Sequence, residues 1–147
     1  MKKSISAFIA AFVAPILGFL SVYIPVALLK REEHLFDVVP FYGITRIIFD
    51  NLEFAPTIML LFIAGCLLGY LGERIWWLVG ILTMIAFPIS AIYEMKISPT
   101  SHNLWPFEFA LYGVVCIPAI VGAFIGSKIY IRMAHERKKR TKRVRHD

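Results

Sequence analysis

Apolar residues in this chain fall in long unbroken runs, with no two-residue alternation between apolar and polar positions. Four runs contain no Asp, Glu, Lys or Arg: Ser4–Leu29, Phe54–Gly72, Ile75–Tyr93 and Phe109–Ser127. The first is 26 residues long and the other three are 19 each. A helix needs about 20 apolar residues to cross roughly 30 Å of hydrocarbon. Continuous runs favour helices over strands, because backbone groups in lipid must bond within their own segment and lipid-facing strands alternate. The pattern predicts an all-α polytopic membrane protein, a bundle of four transmembrane helices over about 4–29, 54–72, 75–93 and 109–131. Residues 132–147 form a basic tail, expected to prolong the last helix for a turn or two before fraying. Pro15, Pro25, Pro88 and Pro118 lie inside the runs, where membrane helices tolerate proline with a kink.

Lys2 and Lys3 ahead of the first run imitate a secretory signal, but 26 residues exceed the roughly 7–15 of a signal core. No Ala-x-Ala cleavage pattern ends the run, so an uncleaved first span is expected. Composition agrees. Hydrophobic residues make up 59% of the chain, against about 45–50% for a soluble domain, and the mean hydropathy is +0.70. Disorder, a disulfide scaffold and an ordinary water-soluble domain are thereby excluded.

Net charge is +6 but unevenly placed: residues 132–147 carry eight Lys/Arg and two acids, leaving eight of each in 1–131. The charge is therefore a topological signal. Twelve basic residues flank one side of the four spans and four flank the other, which puts both termini in the cytoplasm of a cell (inner) membrane protein. Trp76 and Trp77 at one interface and Trp105 at the other match aromatic belts. No Asn-x-Ser/Thr acceptor occurs, which suits a bacterial membrane.

Small residues four apart mark where helices approach closely in lipid. Such stripes are Ala10, Ala14 and Gly18 in the first span, Gly65 and Gly69 in the second, and Gly122 and Gly126 in the fourth. They serve either packing within the bundle or, at Gly122/Gly126, a homo-oligomer or membrane protein partner. Cys66 and Cys116 sit in apolar runs and read as small hydrophobes. No charge lies in the middle of a run, which argues against a proton-coupled path or a charged pore.

Polar chemistry is confined to the two external loops. In the first, Ile44, Ile47, Ile48 and Leu52 alternate at helical spacing with Thr45, Arg46, Asp50 and Asn51. This predicts a short amphipathic interfacial helix that caps the bundle; the alternative is a lipid- or substrate-facing flap, with Phe41, Tyr42 and Phe49 as apolar contacts and Arg46 meeting a phosphate headgroup. The second loop holds His102 and Asn103 between Glu94 and Glu108, with Trp105 as an apolar contact for lipid or substrate. Glu53, Glu94 and Glu108 at three outer span ends, with His102, make a rim that could bind a divalent cation or a cationic group or supply acid–base catalysis, and Glu94, His102, Asn103 and Glu108 are the catalytic candidates. The alternative is carboxylates solvated at helix ends, where Glu108 also suits a helix N-terminus. No metal or cofactor motif is present, and none is expected. In the tail, Lys138, Lys139, Arg140, Lys142 and Arg143 would contact anionic lipid headgroups at the cytoplasmic face. Docking to an acidic partner is the second reading, and the lack of interleaved aromatics speaks against specific nucleic-acid binding.

The functional expectation is a small integral membrane protein, an accessory or assembly subunit or a homo-oligomer acting through helix faces and external loops. The rival is a membrane-embedded enzyme or binding protein for a lipid or isoprenoid-like substrate, with its polar site on the external rim.

Overall fold

In the computed structural model, residues 2–30, 54–97 and 105–144 are described, and among them every regular element is a helix. There are five: α1 (Lys2–Lys30), α2 (Phe54–Leu71), α3 (Trp76–Leu82), α4 (Ala86–Ile97) and α5 (Trp105–Val144). Two are long and apolar enough to cross a membrane, over Ile5–Pro25 and Pro106–Arg137. A third crossing is made if α3 and α4, bent by 41°, count as one span. α2 has 18 residues, about 27 Å of helix. Large apolar side chains such as Phe8, Phe12, Leu67 and Phe107 are exposed. On a soluble protein that would be a liability, whereas against lipid it is the ordinary outer surface. The predicted interfacial helix around Arg46 lies outside the described residues.

α2 and α5 make the most extensive helix contact in the molecule, and the reason is the absence of side chains. A Cβ on Gly65 would overlap the Ala119 carbonyl, and one on Gly69 the Ala123 carbonyl. Reciprocally, a Cβ on Gly122 would overlap the Phe62 carbonyl and one on Gly126 the Cys66 carbonyl. The two backbones therefore touch over about two turns, and the pairs advance together, so α2 and α5 run parallel. α1 runs antiparallel to α2: Gly72 faces Ala10, while Gly18 packs on the backbone at Thr83. Tyr70 meets Tyr130 edge-on with ring centroids 5.3 Å apart. The start of α1, the α2–α3 turn and the later half of α5 thus share one end of the molecule. Ala10 and Ala14 are buried with Leu68, Val79 and Ala123 towards that end. Val22, Leu61, Phe87, Tyr112 and Ala119 form the core towards the other.

The third run departs from expectation. In place of one helix over 75–93, the chain breaks at 83–85. Pro88 has no N–H for the Met84 carbonyl, and bonds around the break tighten to three-residue spacing: Met84 N to Ile81 O at 3.1 Å, Ile85 N to Leu82 O at 3.2 Å, Phe87 N to Met84 O at 3.2 Å. The Gly80 carbonyl accepts instead from the Thr83 hydroxyl at 2.6 Å and the Cys116 thiol at 3.2 Å. A freed backbone group at membrane depth must be satisfied this way. The tail also differs: α5 continues to Val144 without a break at 131. Lys and Arg are good helix formers, and the i,i+4 pair Arg132–Glu136 (3.9 Å) adds slight support.

Gly69→Ala should therefore destabilise the protein in detergent by roughly 1–3 kcal/mol through overpacking. Gly113→Ala should not, since a Cβ there meets nothing within 4 Å. Denaturation of both variants in SDS checks this; equal stability would contradict the α2–α5 contact.

Candidate functional site

Glu108 stands in the first turn of α5, where the unpaired amides of a helix N-terminus favour negative charge. Tyr112 lies one turn on, on the same face, and its hydroxyl donates to Glu108 Oε1. Both are buried, Glu108 at 4% and Tyr112 at 3% exposure. From α4, Glu94 is also buried, at 5% exposure. The expectation of carboxylates solvated at helix ends is thus corrected: both are enclosed by protein. The cause is tertiary. The break at 83–85 redirects α4, and aromatic packing closes the space, with Phe87 and Phe109 rings centred 6.1 and 6.0 Å from Tyr112.

One further buried polar group stands on α2. On α2, Thr57 lies at helical spacing from Leu61, Ala64 and Leu68, all of them buried. Thr57 is 1% exposed, and its hydroxyl has no hydrogen-bond partner among the described residues.

Beside this polar end lies an apolar cleft of about 240 Å³, with Ile81, Met84 and Pro88 on one wall and Phe109, Tyr112 and Gly113 on the other. It exists because α4 leans away after the break and touches α5 only sparsely, and because Gly113 places nothing in the gap. Tyr112 belongs to both features. Its ring lines the cleft and its hydroxyl meets a carboxylate.

Other expected residues are placed as follows. Ala10, Ala14, Gly18, Gly65, Gly69, Gly122 and Gly126 all lie in contacts within the chain. Lys138, Lys139, Arg140, Lys142 and Arg143 lie on α5, and Lys139, the one of these whose side chain is described, is exposed. Trp105 opens α5, its side chain outside the described residues, as are Arg46, His102 and Asn103. Among the described residues no group of three or more His, Cys, Asp or Glu could hold a metal ion. Sequence reasoning missed Tyr112, Thr57 and Phe87. The one signal for Tyr112 was its i,i+4 spacing from Glu108; Thr57 had none, because its importance depends on which helix α2 faces. Comparison of the chain with family models, with curated proteins and with solved structures gives no match.

Tyr112→Phe keeps the ring and removes the donor to a buried carboxylate. We expect it to cost about 2 kcal/mol of stability in detergent, measured by the same SDS titration. An unchanged midpoint would mean that the hydrogen bond contributes nothing.

Proposed function

We propose that this is a four-span integral membrane protein of the cell membrane, with both termini cytoplasmic, that binds a lipid-like amphiphile in a cleft opening sideways towards lipid. Four uncharged runs support the span count, α2 and the bent α3–α4 pair each serving as one crossing. The excess of basic residues supports the orientation, and the tail's Lys and Arg would meet anionic headgroups near the inner surface. The observation that carries the function is the junction at Tyr112: its residue lines an apolar cleft and its hydroxyl donates to a buried carboxylate. Such a junction suits a molecule with an apolar chain and a polar head, as ligand sites combine apolar walls with a few placed polar groups.

The reading as an accessory or homo-oligomeric subunit drew on the small-residue stripes. Those stripes have helix partners inside the chain, so binding at the cleft is preferred.

The direct test uses a photoactivatable alkyl diazirine in lipid nanodiscs. Label is expected on the two cleft walls, around 81–88 and 109–120, and should be lost in Gly113→Phe, which fills the cleft from a position with open space around it. Label spread evenly over lipid-facing surfaces and indifferent to Gly113→Phe would end the proposal. For topology, a membrane-impermeant maleimide should reach Ser98→Cys from outside intact cells and Thr141→Cys only after lysis. The reverse pattern would overturn the orientation.

A further inference from the structure

Building on the amphiphile-binding reading, we infer that the cleft measures chain length: it takes one alkyl chain lengthwise, from the leaflet at the start of α5, and stops it at Ile120. Three observations converge. The first is direction. Gly80 packs on Ile120 and the Phe87 ring lies 6.1 Å from that of Tyr112. The α3–α4 wall and the α5 wall are therefore antiparallel, and the cleft between them follows the helix axes. Its lining on α5 extends from Phe109 to Ile120, about 16 Å of helix and close to half of the roughly 30 Å of bilayer hydrocarbon. A carbon chain with bonds of about 1.5 Å and angles near the tetrahedral value advances about 1.25 Å per atom, so about 13 carbons fill that length.

The second is position. Phe109 stands one turn after Trp105, the first residue of α5. A chain whose far end reaches Ile120 thus keeps its head at the membrane surface, the outer one in the orientation proposed above. The third is a closed far end. A Cβ on Gly80 would come within 2.8 Å of Ile120 Cα and 3.0 Å of Ile120 Cγ1, so α3 and α5 leave no room for a chain past Ile120. Towards Phe109 the gap widens, because α4 leans away after the break. Gly113 lies between the two ends, with nothing within 4 Å of an added Cβ, and leaves the passage clear. The volume of about 240 Å³ falls below the roughly 300–1,000 Å³ of sites for drug-sized molecules, enough for one chain and not for two. Lipid is as apolar as the cleft, so burial alone gives no preference. The gain comes from close contact along the walls, and it ends where the walls meet.

The test is a chain-length series in phosphatidylcholine nanodiscs holding the full chain. Straight-chain alkanols from octanol to octadecanol, at equal mole fraction in the bilayer, compete against the alkyl diazirine for labelling beside Phe109. Competition should strengthen several-fold from octanol to tetradecanol and gain nothing further to octadecanol. Ile120→Ala, which shortens the side chain at the closed end, should move that limit from tetradecanol to hexadecanol. Gly113→Leu obstructs the passage about 6 Å from Phe109 and should make all the alkanols compete alike. It keeps the test decisive if Ile120→Ala does not fold. Competition that is flat in the unaltered protein, that strengthens through to octadecanol, or that keeps the same limit in both variants overturns the inference while leaving the cleft reading intact. Failure of every alkanol to compete overturns the cleft reading itself.

Discussion

The backbone-to-backbone approach of α2 and α5 is the contact on which the other features depend. In lipid there is no hydrophobic drive to bring two apolar helices together, so association relies on close packing. Gly65, Gly69, Gly122 and Gly126 supply it by removing the atoms that would hold the helices apart. The contact fixes more than a distance. It sets the axial register of α5 against α2, and with it the level at which Glu108 and Tyr112 stand. α1 then packs on the other side of α2 and α3, with Gly18 against Thr83, and holds the helix that breaks.

The break gives the molecule its asymmetry. Above it, α3 packs closely on α5, Gly80 lying where an added Cβ would come within 2.8 Å of Ile120 Cα. Beyond it, α4 departs and leaves a gap. A carbonyl released at membrane depth is expensive unless bonded, and the Thr83 hydroxyl and Cys116 thiol both reach Gly80 O. Cys116 therefore has a structural task, consistent with its burial and with its reading as a small apolar residue. The same departure of α4 opens the cleft, which Gly113 keeps open and Tyr112 joins to the carboxylates.

Much of the architecture was legible in the chain, and the reasons it stopped where it did are physical. Length and absence of charge in the runs mark apolar helices because crossing hydrocarbon leaves few alternatives. The stripes Gly65/Gly69 and Gly122/Gly126 could be read as contact surfaces, but not matched to each other, since a small-residue stripe carries no label for its partner. Pro88 was visible too, yet Pro15, Pro25 and Pro118 lie within helices that continue through them. What distinguishes Pro88 is the pair of side chains that take over a nearby carbonyl, one of them from a helix more than thirty residues later. Glu94 and Glu108 read as solvated because they border apolar runs. Their burial follows from where α4 goes after the break and from aromatic rings that only the fold assembles.

The most direct measurement is an experimental structure of the chain in lipid nanodiscs, determined with and without a single-chain alkyl amphiphile. α2 and α5 should be in backbone contact, with a bend at 83–85 and elongated density from the Ile81–Pro88 wall to Tyr112 that appears with the amphiphile. A straight third span packed flush against α5, with the two carboxylates turned out to bulk water and no density at Tyr112, would contradict this arrangement.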